Sequence, residues 1–261
     1  MTHAAEWGHW YARDGSPMYE MPYADGRPGT RPVTLRDARK LSLVPGVSTI
    51  INCCAKPGLE LWKLDQMMHA ALTLPRLDGE PEAQWIERVW ADSKETAKKA
   101  SERGTAIHAA VQGFYETGHA DRDYYPYITA AAGAVEQMVP ECESWIPERS
   151  FACQLGFGGK VDMSCAVAVL DFKTKEFDHN TDLKTWDEHA MQLSAYRQGL
   201  GIEKARCAIV YVSVTNPGLA KLIEIPEESL QSGWRMFLAL LQYWQAKNKF
   251  NSSWLPEKVA A

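Results

Sequence analysis

The chain has 261 residues, 46% of them hydrophobic, which is enough to bury a full core, and it reads as one domain. Its net charge of −5 excludes a generic basic coat for nucleic acid, because phosphate binding depends on Lys and Arg that displace counterions; it leaves room for acidic residues at a metal site with basic ones elsewhere. With no apolar run of about eighteen residues, and no charged-then-apolar order around Glu6, Trp7, His9, Trp10 and Arg13, a soluble, intracellular protein with no membrane partner is expected.

Residues 1–45 are rich in Gly, Pro, Tyr and Trp without a sustained period, so they read as an irregular arm with a short helix near Leu35 to Leu41. Ser48 is placed to cap a short helix. Leu59, Leu61, Trp62, Leu64, Met67, Met68 and Leu72 then suggest a helix packed on a core. Pro81 to about Thr117 is helical in composition, with Trp85, Val89 and Trp90 spaced to share a face, and Gly104 predicts a bend or two helices. A third helix is expected from about Pro126 to Val139, before Pro140.

The character then changes. Ser150 to Gln154, Gly159 to Cys165 and Val167 to Thr174 are short β-favoured runs separated by turns, and they read as three antiparallel strands. Trp186 to Leu200 returns to helical spacing, Cys207 to Val214 reads as a buried strand, Lys221 to Ile225 as a further strand, and Glu227 to Lys247 as a closing helix. The six cysteines, at 53, 54, 142, 153, 165 and 207, form no CxxC pair and fit neither a zinc ribbon nor a stapled secreted domain; reduced, mostly buried thiols are expected.

The chemistry concentrates at Asp162 in GKVD and at Asp171, Phe172 and Lys173 in VLDFKTK. Side chains two apart on a strand point the same way, so Asp171 and Lys173 share a face and Phe172 takes the other. A hairpin near Ala166 would bring Asp162 beside Asp171, where two carboxylates repel unless a divalent cation joins them. Hard oxygen ligands suit Mg²⁺ or Mn²⁺. Alternating Asp and Lys on a strand are also commonly a solvated ion pair of little energy; the surrounding Val161, Val167, Val169, Leu170 and Phe172 favour burial instead, and buried charges need partners or metals.

In order along the chain stand Gly104-Thr105-Ala106-Ile107-His108, Glu148, Gly159-Lys160-Val161-Asp162, Asp171-Phe172-Lys173 and Gln192-Leu193-Ser194-Ala195-Tyr196. This set resembles the PD-(D/E)xK nuclease superfamily, and within it the RecB-like exonuclease branch that includes phage recombination exonucleases and the mitochondrial genome maintenance exonuclease. The resemblance spans residues 104–214, and the upstream GVSTII and KPGLELWK are similar to segments preceding the core in that branch. It implies an α/β fold with a restriction-endonuclease-like core, a central mixed β-sheet flanked by helices and a helical N-terminal extension. The single nuclease domain would divide into an arm and helices over 1–100, a catalytic core over 101–225, and a C-terminal helix and tail over 226–261.

By the same resemblance His108, Asp162, Asp171 and the Phe172 backbone carbonyl would hold Mg²⁺, with Mn²⁺ as substitute, and Lys173 would be catalytic together with Asp171, Asp162 and Glu148. On its residues alone, His108 is as readily a packing or surface histidine, and Glu148 a strand-edge partner of Arg149. Gln192 and Tyr196, four apart on one helix face, would position DNA or the active site, as would Thr105 and Lys175. Branch members with an iron-sulfur cluster carry an upstream cysteine and three clustered near the C-terminus; no cysteine follows Cys207, so no cluster is expected.

Two further features stay open. Lys94, Lys98, Lys99 and Arg103 form a basic run that either lines the approach of a phosphate backbone or is solvated helix surface. Trp7, Trp10, Tyr11, Tyr19 and Tyr23 either stack on unpaired bases or pin the arm to the core. The expected function is a cytoplasmic, Mg²⁺-dependent DNA exonuclease of phage-type recombination or DNA processing in a bacterial or phage-infected cell, with DNA and a single-strand annealing protein as partners. An endonuclease of the same fold, distinguished by cleavage of closed circles, and a catalytically idle nucleic-acid-binding module are the alternatives; adjacent buried Asp, Asp and Lys argue against the idle module.

Overall fold

The computed structural model describes residues 8–140, 142 and 144–255; Glu6 and Trp7 lie outside them. The arm supplies β1 (Trp10–Tyr11), β2 (Glu20–Pro22) and β3 (Thr30–Pro32), then α1 (Leu35–Leu41), β4 (Val44–Pro45) and α2 (Val47–Ile51). Thr34 caps α1 and Asp37 closes the box by accepting from the Thr34 backbone N–H. The arm is pinned to the core: Trp10 is buried and packs edge-on against Trp244, while β1 pairs with β4. Ser48 falls inside α2, whose N-cap is Gly46.

Two long helices follow, α3 (Pro57–Thr73) and α4 (Glu82–Thr117), then α5 (Tyr125–Met138). Gly104 does not divide the segment into two helices: α4 runs through it unbroken. The glycine serves packing instead, since a Cβ there would stand 2.5 Å from Thr174 Oγ1 on the neighbouring strand. The expected burial of α3 also fails: Leu59, Leu61, Trp62, Leu64, Met68 and Leu72 are all exposed, because α3 packs mainly on α4 and not on the sheet. Of the residues expected to share the inner face of α4, Val89 is buried but Trp90 is 46% exposed.

The strands are β5 (Ile146–Cys153), β6 (Phe157–Ser164), β7 (Ala168–Lys175), β8 (Arg206–Ser213) and β9 (Ala220–Glu224), with α6 (Asp187–Gly199) between β7 and β8 and α7 (Glu227–Asn248) after β9. They form one five-stranded mixed sheet in the order β5-β6-β7-β8-β9, with β7 and β8 parallel and the other pairs antiparallel. The parallel pair requires a crossover, which α6 provides. One face of the sheet is covered by α4 and α5, through Ile107, Val111, Ile128 and Val135 against Leu170, Phe172 and Val210. The other carries α2, α6 and α7 over Val169, Ile209 and Tyr211. The mixed α/β architecture with flanking helices is thus as the sequence implied. No described helix is long and apolar enough to cross a membrane.

Of the six cysteines only Cys165 and Cys207 are buried; Cys54 is exposed. The expectation of mostly buried thiols does not hold, because Cys53 and Cys54 follow the short α2 in a surface turn.

Candidate functional site

The site lies where the sheet opens. Strands β6 and β7 pair only at Met163↔Leu170 and Ser164↔Val169, then part. In the fork, the Asp162 carboxylate replaces the missing ladder partner: its Oδ2 accepts the Phe172 backbone N–H at 2.8 Å. A buried amide must be satisfied, and here a side chain does it.

Two irregularities aim the carboxylates. Val161 packs in the core beneath α6 and Met163 in the core beneath α4, so the alternation of β6 inverts across Asp162. Opposite Asp162, between the pairs Pro147↔Met163 and Arg149↔Val161, stands Glu148 with φ 50, in the left-handed region. For a residue with a Cβ this costs about 1–2 kcal/mol, and such strain gathers at functional sites. Both features turn carboxylates toward α4, where His108 Nε2 lies 3.0 Å from Asp162 Oδ2. Glu148 also pairs with Lys160.

On β7 the alternation is regular: Phe172 enters the α4 side and Asp171 the α6 side. Asp171 is 1% exposed. Its Oδ1 accepts from Gln192 Nε2 at 2.8 Å, and the second Gln192 proton goes to Tyr196 Oη at 2.9 Å. Asp171 Oδ2 forms an ion pair with Lys173 Nζ at 2.5 Å. Gln192 and Tyr196 therefore act as one unit from α6, and the group they reach is Asp171. Gly159 leaves the space for Tyr196, since a Cβ there would sit 2.9 Å from its ring.

Burial raises both aspartates, and their partners set them apart. Burial pushes the Asp171 carboxyl above the usual range, with Lys173 opposing and Asp162 adding to the rise. Asp162 carries a burial penalty too, but the His108 hydrogen bond and charge, the Lys173 charge and the Phe172 amide together outweigh it and hold Asp162 below its usual value. For Lys173, burial favours the neutral amine, yet the Asp171 and Asp162 charges prevail and the ammonium is held above its ordinary pKa. His108 is raised by its hydrogen bond to Asp162.

These groups border a cavity of about 450 Å³. His108, Glu148, Asp162, Asp171, Phe172, Lys173, Gln192, Tyr196 and Thr105 all line it. Lys175 does not; it lies in a neighbouring groove with Lys99 and Arg103. The arm contributes residues not singled out as site groups by pattern: His9, whose ring sits 4.6 Å from that of Tyr19, with Tyr19 itself hydrogen-bonded to Tyr11. Lys160, the lysine of GKVD, also lines the wall. Nothing local in the sequence marks His9, since it reaches the site through the pairing of its backbone with Gly46.

Ligand atoms of His108, Glu148 and Asp162 lie within 4.8 Å of one another. An ion bound at about 2.0–2.1 Å spans about 4 Å between ligands on opposite sides, so one small divalent cation fits this group with little movement. The donor set, two hard carboxylates and one borderline imidazole, is that of a divalent metal site. Asp171 lines the same cavity.

No protein-family model and no curated protein matches the sequence. Two of the solved structures similar to part of the chain illustrate the likeness. One is a candidate exonuclease from Eubacterium rectale, at 17% identity and TM-score 0.38, covering 56% of this chain and 68% of that one. The other, the protein SSO0001, shares 17% identity at TM-score 0.28 over 44% of this chain and 55% of its own. The chain thus spans little more than half the length of the second.

Proposed function

We propose that this protein is a divalent-cation-dependent deoxyribonuclease of the exonuclease type, hydrolysing phosphodiester bonds in DNA. The observation that carries the reading is the fork of β6 and β7. It places the Asp162–His108 pair, Glu148 and the Asp171–Lys173 pair on one cavity wide enough for a phosphodiester and open to solvent.

His108, Glu148 and Asp162 would hold the cation, with Asp171 and the Phe172 carbonyl as additional donors. A bound Mg²⁺ or Mn²⁺ would supply Lewis acidity to the phosphoryl oxygen and a water of lowered pKa. The chain's own groups do the rest. Lys173, paired with Asp171 at the edge of the cavity, would orient or deprotonate the attacking water and meet the charge that develops on the phosphate. Asp171 fixes Lys173, and Gln192 with Tyr196 fixes Asp171. His9 and Tyr19 close the far wall.

The test is incubation of the purified protein with end-labelled linear DNA and Mg²⁺. Release of mononucleotides or short oligonucleotides, lost in Asp162→Ala and in Lys173→Ala, supports the reading. Activity that survives both changes removes it. Linearisation of covalently closed circles would replace exonuclease with endonuclease.

A further inference from the structure

Beside the catalytic cavity runs a groove of about 610 Å³ between α3, α4 and the end of β7, lined by Trp62, Gln66, Lys99, Arg103, Lys175 and Glu176 among others. It continues into a hollow of about 590 Å³ that shares Trp62 and Gln66 and ends at Trp90, over whose ring Lys94 Nζ stands at 4.9 Å. The path from the site is short. Lys173 faces the catalytic cavity, and Lys175, two residues on and on the same side of β7, reaches the groove. Two residues of strand span about 7 Å.

The charge of this track runs against that of the whole chain. Lys99, Arg103 and Lys175 face Glu176 alone in the groove, and Lys63 and Lys94 face Glu60 in the hollow, in a protein of net charge −5. Several of these cations already have partners: Lys99 pairs with Glu95 at 2.8 Å, Lys63 with Glu60, and Arg103 donates to the Val214 carbonyl. The two lysine pairs are solvent-exposed and worth little, so they yield readily to phosphate. Trp62 is 40% exposed between these cations. Exposed indole beside ammonium groups is the composition of a single-strand platform, where bases stack and lysines follow the backbone.

We propose that this groove holds the single-stranded portion of a DNA substrate, with Trp62 stacked on a base and Lys99 and Lys175 on flanking phosphates. The proposal rests on the nuclease reading for the end that enters the cavity. A second copy of the chain is the competing occupant of this exposed face. Bringing two copies of the groove together would oppose like charges.

The test is fluorescence anisotropy of the full chain with a labelled oligothymidylate of about twenty nucleotides, Ca²⁺ replacing Mg²⁺. Trp62→Ala is expected to weaken binding at least fivefold, and Trp62→Phe to restore it to within about twofold. Lys99→Ala and Lys175→Ala, both exposed and neutral to folding, should each lower the slope of log affinity against log salt by about 0.7. Unchanged affinity and slope in Trp62→Ala and both lysine variants overturns the groove. If the wild type still digests DNA and Asp162→Ala does not, the nuclease reading survives that failure. Conversely, the tryptophan and lysine effects in a wild type that cleaves no DNA keep the groove and remove the nuclease. A loss of binding in Trp62→Ala that accompanies a fall in sedimentation mass assigns the face to subunit contact and overturns the proposal.

Discussion

Gln192 Nε2 lies 2.8 Å from Asp171 Oδ1 and so ties α6 to the strand that carries the ammonium. The bond holds a carboxylate that is 1% exposed and whose other oxygen is ion-paired with Lys173. Removing the amide frees Asp171 to rotate, and Lys173 with it.

Gln192→Ala is therefore expected to lower the rate of DNA hydrolysis by about 10- to 100-fold, the usual loss when a partner that orients a site group is removed. Tyr196→Phe, which removes an oxygen one bond further out, should cost less than tenfold. Single-turnover cleavage assays with saturating Mg²⁺ read both. Equal, negligible effects would show that Asp171 is held by Lys173 alone.

Glu148 combines a left-handed backbone with a role as cation ligand, and the two can be separated. Glycine adopts φ 50 without the penalty, so Glu148→Gly should unfold no earlier than the wild type, while Glu148→Ala keeps the strain. Both variants should lose affinity for Mn²⁺, measured by calorimetry, by tenfold or more. A glycine variant that binds Mn²⁺ as well as the wild type would take Glu148 out of the ligand set.

Gly104→Ala raises helix propensity by about 1 kcal/mol, yet the added methyl meets Thr174 Oγ1 at 2.5 Å. Overpacking of this kind costs about 1–3 kcal/mol, so a net loss of stability is expected in denaturant unfolding. The double variant with Thr174→Ala removes the clashing oxygen and should recover it. A Gly104→Ala protein more stable than the wild type would mean that the α4–β7 contact gives way easily.

His189 is buried, and its Nδ1 accepts the Trp186 backbone N–H at 3.2 Å at the start of α6. Burial first, and then the Lys173 charge, lower its pKa to about 4. The unfolded histidine takes up a proton near pH 6.5 and the folded one only near 4, so the unfolded state binds more protons between them. Stability is full above about 6.5 and falls as the pH drops toward 4, by at most about 3 kcal/mol from this residue. His189→Gln should flatten that part of the profile in urea titrations between pH 7 and 4.5. A profile unchanged by the substitution would show that the ring is protonated without cost.

Much of the frame was legible along the chain. The period of two in VLDFKTK placed Asp171 and Lys173 on one face of β7, and the helical spacing of α6 placed Gln192 and Tyr196 together; both depend only on local backbone geometry. The order of helices and strands followed from runs of β-favoured and helix-favoured residues in the same way. Burial of α3 was misread because its leucines have helical spacing, and spacing alone does not say whether a partner surface exists. Gly104 was misread because a glycine needed for close approach looks the same in sequence as one that breaks a helix.

What the sequence determined alone, then, is which side chains share a face and which segments extend or coil, since those are set within a few residues. Only the tertiary structure decided that β6 and β7 part after two residue pairs, that Glu148 faces Asp162 from a left-handed position, and that His108 on α4 closes the set. Those relations join Asp162 to Glu148, 14 positions apart, and to His108, 54 apart. They are fixed by sheet register and by the packing of α4 on β7, to which no local preference points.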